Sequence, residues 1–99
     1  MIWQFKEKAR KLLAGESGTV DKDWGGRLPI ALVFPNTYYV GMSNLGFQTI
    51  YRTLNQRQDI VCERAFFPDD EDVREHERLG VPILSLESQR PLAEFECVA

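Results

Sequence analysis

Between an apolar run ending at Phe34 and an amphipathic stretch beginning at Leu45 the chain reads PNTYYVGMSN. Those ten residues exceed the roughly two to six that usually join a strand to a helix, and long connections of this kind are more often binding loops than spacers. Asn36, Thr37, Tyr38, Tyr39, Gly41, Met42, Ser43 and Asn44, with Gly46 just beyond them, are residue types suited to a broad, flat guest. Glycines let backbone approach a ring closely. Amides at the start of the following helix favour a carbonyl, carboxylate or phosphate. Tyr38, Tyr39 and Met42 offer apolar faces for stacking. A plainer reading stands beside this one: Tyr38, Tyr39 and Val40 cover the end of a sheet and Gly41 supplies a turn. Ser85, Glu87 and Ser88, in SLES, are a second candidate contact for the same guest.

Other chemistries find less support. Gly41 and Gly46 have the spacing of a phosphate loop, but Gly46 is followed by Phe47-Gln48 instead of Lys-Ser/Thr, and no Gly-x-Gly-x-x-Gly occurs. The single histidine, His76, lies in REHER and reads as a surface residue of a charged helix. Cys62 sits in an apolar run, where a free thiol behaves as a small hydrophobe. Ser85, Glu87 and Ser88 have no histidine in a triad pattern, so no nucleophile stands out and the segment is not expected to be catalytic. The acidic run Asp69-Asp70-Glu71-Asp72 suits a helix N-terminus better than a metal site.

The elements that would hold the loop follow from periodicity. RLPIALVFP (27–35) is continuously apolar from Ile30 to Phe34, as in a strand buried on both faces of a parallel sheet. Leu45, Phe47, Ile50, Tyr51 and Leu54 have helical spacing, with Ser43 or Asn44 as N-cap. DIVCERAFFP (59–68) reads as a second strand, DDEDVREHERLG (69–80) as an acidic helix stopped by Gly80, and VPILSLES (81–88) as a short strand or extended segment. RPLAEF then turns the chain and ECVA begins another apolar run, whose abrupt end suggests a fragment of a longer protein. Upstream, Ile2, Phe5, Ala9, Leu12 and Leu13 form one stripe of an amphipathic helix over residues 1–15, with Trp3 and Trp24 as anchor points. Residues 16–27 read as a linker and 28–99 as the first part of a domain. The expected fold is α/β: a partial doubly wound, flavodoxin- or Rossmann-like parallel sheet, truncated and preceded by that helix. A reversal after the first strand would centre Ile30–Phe34 and place the long connection at the switch-point crevice.

Composition agrees with a small folded domain: 43% hydrophobic and 11% aromatic residues in 99 positions. The net charge of −3 is unevenly spread, with eight Lys/Arg against four Asp/Glu up to Arg57 and four against eleven thereafter. No basic cluster interleaved with aromatics suggests nucleic acid as a partner. No stretch approaches a membrane span, and two cysteines make neither a disulfide framework nor a metal cluster, so a cytoplasmic location is expected. An unfinished sheet would leave an unpaired edge, which leads us to expect self-association, with the terminal segment exchanged between copies.

Taken together, RLPIALVFPNTYYVGMSNLGFQTIYRTLNQ, VCERAFFPDDED and VPILSLESQRPLAEFECVA resemble the N-terminal region of bacterial and archaeal radical S-adenosylmethionine (SAM) proteins that carry a B12-binding-like domain. The resemblance extends from about Phe5 to Ala99, and FPNTYYVGMSNLGFQ and SLESQRPL are its most specific stretches. It implies an iron–sulfur enzyme whose [4Fe–4S] cluster and SAM belong to a later part of the polypeptide. Three thiolates hold such a cluster open to SAM, and this chain has two isolated cysteines. For this segment the resemblance implies cobalamin as the guest, bound without a histidine ligand to cobalt: the junction reads Asn36-Thr37-Tyr38-Tyr39-Val40-Gly41, where Asp-x-His-x-x-Gly would supply one. The alternative is a domain that has lost cobalamin and docks a substrate or a protein. A flavin is a weaker third choice, because the loop lacks the Ser/Thr density that wraps a flavin phosphate.

Overall fold

The computed structural model describes residues 2–16, 20, 22–68, 70–80 and 82–99, and their side chains other than those of residues 2–5, 70 and 71. The anchor expected at Trp3, with Ile2 and Phe5 of the helical stripe, lies outside the described side chains, as does most of the acidic run 69–71. Helix α1 spans Ile2–Ala14, strand β1 Leu28–Phe34, helix α2 Tyr38–Met42, helix α3 Leu45–Asn55, strand β2 Ile60–Phe66 and helix α4 Asp70–Leu79. A 3₁₀ turn at Leu92–Glu94 leads into strand β3, Cys97–Val98. Among the described residues, no helix is long and apolar enough to cross a membrane.

The three strands form one open parallel sheet in the order β2-β1-β3. The apolar run that marked β1 for double-sided burial is the central strand, paired from Leu28↔Ile60 to Phe34↔Phe66 on one side and at Ile30↔Cys97 and Ala31↔Val98 on the other. The chain therefore crosses to opposite sides of β1 in its two connections, and the carboxyl end of β1 lies at the switch point of a doubly wound arrangement.

Side-chain alternation along β2 divides the core in two. Cys62, with Leu32 of β1, faces α3 and packs with Phe47 and Tyr51. Val61, Glu63 and Ala65 take the other side, where Glu63 meets Trp24 and Ser85. The segment read as a linker contributes directly to this packing. Val20 lies on the α3-side core, the Trp24 ring tilts over Phe95 at 4.7 Å, and Arg90 stacks on Trp24 at 3.9 Å. Trp24 thus anchors this segment to the sheet.

Two segments differ from the sequence expectation. The connection after β1 is not a continuous loop, because Tyr38–Met42 winds into the short helix α2. Five residues containing a glycine and a β-branched valine carry almost no helical signal on their own, and the turn is held by packing on α3. Of the two alternatives for VPILSLES, the short strand does not form over residues 82–88; Leu84 makes one antiparallel bridge to Pro91, and Gln89 between them lies in the left-handed region at φ 56°.

The outer edge of β2 is closed by side chains. Lys22 Nζ donates to the Ile60 carbonyl at 2.8 Å and to those of Asn55 and Arg57 at 2.7 and 2.9 Å. The Asn55 amide accepts from Cys62 N–H at 2.9 Å and donates to the Cys62 carbonyl at 3.0 Å. Arg64 N–H donates to Glu87 at 2.9 Å, and the Arg64 carbonyl accepts from Leu86 N–H at 2.7 Å. Alternate residues 60, 62 and 64 are those whose backbone groups point away from β1, so an approaching strand would find this row already occupied.

Candidate functional site

The sheet's rim at the carboxyl ends of β1 and β2 is built from aromatic rings. Phe66 lies in edge contact with Tyr38 at 5.3 Å and tilted against Phe47 at 5.4 Å, while Phe34 meets Phe47 edge-on at 5.4 Å. Gly41 is buried beneath this cluster: a Cβ there would stand 2.4 Å from Phe66 Cε1 and 3.2 Å from Phe34 Cγ. Its missing side chain is therefore used by Phe66. Gly41→Ala would gain about 1 kcal/mol of helix propensity but force a clamped ring aside, at a cost of about 1–3 kcal/mol. Net destabilisation of up to about 2 kcal/mol is expected in urea unfolding; a raised midpoint would show that the ring yields freely.

Beside the rings opens a cleft of about 160 Å³, lined by α1 (Lys8, Ala9, Leu12), by Thr37–Tyr39, by Phe66–Pro68, by α4 (Asp72, His76) and by residues 83–86 with Gln89. Of the candidate residues it gathers Thr37, Tyr38, Tyr39 and Ser85. His76, expected as a bland surface residue, is on its wall. The other candidates lie elsewhere. Asn36 accepts from Phe67 N–H through its carbonyl at 2.8 Å and from Thr37 N–H through its side chain at 2.8 Å. Asn44 caps α3 by accepting from Phe47 N–H at 2.9 Å, with Gly46 exposed in the first turn beside it. Ser43 Oγ donates to the Tyr39 carbonyl at 2.8 Å and closes α2. Met42 lines a second cavity of about 200 Å³ with Glu16, Val20, Gln48, Tyr51 and Arg64.

Glu87 and Ser88, with Ser85, belong to two buried polar clusters that straddle β2. On the α3 side the Arg64 side chain is only 2% exposed. Its guanidinium is forked on Glu16 at 2.9 and 3.0 Å, and its Nε donates to Glu87 at 2.8 Å. Tyr51 donates its hydroxyl to Glu87 at 2.5 Å and stacks under the guanidinium at 4.5 Å, while the Tyr38 hydroxyl donates to Glu16. Burial, then Glu16, pushes the Tyr38 hydroxyl above the usual tyrosine range; burial, then Glu87, does the same for Tyr51. Burial also raises the Glu87 carboxyl against the pull of Arg64 and Tyr51. On the opposite side Glu63 is fully engaged: Ser85 Oγ and Ser88 Oγ donate to it at 2.7 and 2.6 Å, Ser88 N–H at 3.1 Å and Trp24 Nε1 at 2.8 Å. The stretch 85–88 thus clasps the β2 edge. Its serines hold one face and Glu87 the other.

These clusters were missed in the sequence, although one sign of them was visible. Glu63-Arg64 interrupts an otherwise apolar strand, and charges in a strand covered on both faces must be buried and paired. Among the described residues no group of three or more His, Cys, Asp or Glu is placed to hold a metal ion. Cys62 is buried with its thiol pushed up to about 12, chiefly by that burial, whereas Cys97 is exposed.

Residues 46–99, more than half of the chain, match the family described as Radical SAM proteins, N-terminal. The chain belongs to this family. No curated protein and no solved structure matches it. The matched part of this radical SAM N-terminal module begins inside α3 and includes β2, the 85–88 clasp and β3. Glu63 and Arg64 of β2 and Glu87 of the clasp fall inside the match, while Glu16, Trp24 and the tyrosines of α2 precede it.

Proposed function

We propose that this accessory module of a radical SAM enzyme is a docking unit that holds a small part of the substrate at the carboxyl rim of its sheet. The observation that carries the reading is the packing of Tyr38. Its ring lies on Phe66, its hydroxyl is committed to Glu16, and the space left beside it amounts to about 160 Å³. Pockets for drug-sized ligands run to roughly 300–1,000 Å³, and a corrinoid is larger still. Family membership implies a [4Fe–4S] cluster and SAM for the parent enzyme. With two cysteines, one buried in β2, this chain does not provide the three thiolates of such a cluster. In this reading the chemistry belongs elsewhere in the polypeptide.

Cobalamin is the second reading, and the position of the cleft favours it: the cleft lies at the carboxyl ends of the strands and has His76 on its wall. A space of about 160 Å³ does not enclose a corrin ring, so in this reading the ring lies over the open rim of the cleft. The test is to incubate the parent protein with hydroxocobalamin, desalt it and record the visible spectrum. Docking predicts that no corrinoid is retained; a stoichiometric corrinoid spectrum would replace this reading with the cofactor-binding one. Two free thiols suit a reducing, cytoplasmic setting. Because the β2 edge is capped, we place any self-pairing of the chain at β3, whose Val98 is 54% exposed.

A further inference from the structure

Among the described residues, two ion pairs of very different strength tie helix α1 and its closing turn to the rest of the chain. Glu16, in the turn that closes its carboxyl end, is forked on Arg64 with side chains 11% and 2% exposed. Further back, Lys8 meets Asp72 of α4 at 2.6 Å with side chains 55% and 22% exposed. An exposed pair contributes little and is screened by salt, whereas breaking a buried one leaves charges stranded in the core. Of the two contacts, the exposed Lys8–Asp72 pair is the cheaper to break. Between these two points Ala9 and Leu12 wall the cleft.

The cleft also has a definite chemistry. Its volume of about 160 Å³ is close to that of apolar cavities known to take up a benzene molecule, about 150 Å³. Leu12, Phe66 and Leu84 give it apolar walls, and Thr37 and Gln89 add hydroxyl and amide groups. Such walls suit a neutral guest better than a charged one, which would lose its hydration on entering.

We propose that α1 is a hinged lid, pinned by Glu16 and clasped by Lys8–Asp72, over a site for a neutral single-ring aromatic group carrying one hydroxyl or similar polar substituent. The ligand class rests on the docking reading above; the lid does not. Amide hydrogen exchange tests the lid. In Lys8→Glu, exchange at residues 9–12 is expected to rise about fivefold, the order that loss of one exposed pair produces. Exchange at Glu16 should be unchanged, and the charge-swapped Lys8→Glu/Asp72→Lys variant should return to the wild-type pattern. No rise, or an equal rise through Glu16, overturns the lid. Phenol titrated into the wild-type chain tests the site, with saturable amide shifts expected at Leu12, Thr37, Phe66 and Leu84. If these shifts are absent while the lid behaves as described, the ligand class is overturned and the lid stands. Retention of a corrinoid by the parent protein would instead overturn the docking reading itself.

Discussion

Replacing Arg64 with methionine is expected to lower the melting temperature by about 12–40 °C. The side chain is 2% exposed and lies between Glu16, 11% exposed, and Glu87, 6% exposed. Methionine fills much of the same space but offers no donor, so the two carboxylates would face each other across an apolar gap. Removing one partner from a buried ion pair costs about 3–5 kcal/mol, and in a chain of this size each kcal/mol shifts the melting temperature by about 4–8 °C. Against a total stability of about 5–15 kcal/mol this is a large loss. Tyr38 and Tyr51 would still donate to the two carboxylates, which limits the damage without removing the stranded charge. Adding Glu16→Gln and Glu87→Gln to Arg64→Met should recover part of the loss, because neutral amides cost less to bury. Arg64→Lys should fall between, since one ammonium cannot reproduce the fork on Glu16 together with the bond to Glu87. A melting temperature within a few degrees of wild type in Arg64→Met would mean that this cluster is not the buried junction described above.

Why was this junction invisible while the sheet around it was legible? The β1 strand could be read because its signal is local. Five consecutive apolar residues, Ile30–Phe34, suit a strand covered on both faces, and it lies at the centre of the sheet. The Asn44 cap and the stop at Gly80, which sits at φ 67°, are likewise carried by one residue and its neighbours. Arg64 is different. Its partners lie 48 positions before it and 23 after it, and no spacing rule links an arginine in a strand to glutamates so far away. Ser85, Glu87 and Ser88 have residue types that suit a guest, and the fold commits Glu87 to Arg64 and both serines to Glu63. His76 shows the opposite case. Its charged neighbours gave it a surface reading, and only the placement of α4 against α1 brings it to the cleft. Local pattern specified the elements, and long-range pairing specified what their polar residues do.

The chain is also expected to lose stability steeply in alkali, by about 3–5 kcal/mol between pH 8.5 and 11. Burial pushes the Cys62 thiol up to about 12, whereas an unfolded cysteine ionises near ~8.5. Over that window the folded chain keeps a proton that the unfolded chain releases. The unfolded state binds fewer protons, so stability falls as pH rises, by about 1.4 kcal/mol per unit for one group. The contribution is fully present below the unfolded value and is lost as pH climbs toward the folded one. Tyr51 acts in the same direction from about pH 10, where an unfolded tyrosine begins to ionise, because burial and Glu87 hold its hydroxyl in the protonated form. Urea unfolding at successive pH values measures the slope. Cys62→Ala should lower stability at neutral pH through lost packing, yet its curve should fall less steeply between pH 9 and 10, by the equivalent of one proton. Parallel curves for the two proteins over that interval would show that the thiol ionises freely in the folded state, and that Cys62 is less enclosed between β1 and α3 than the packing of Leu32, Phe47 and Tyr51 around it requires.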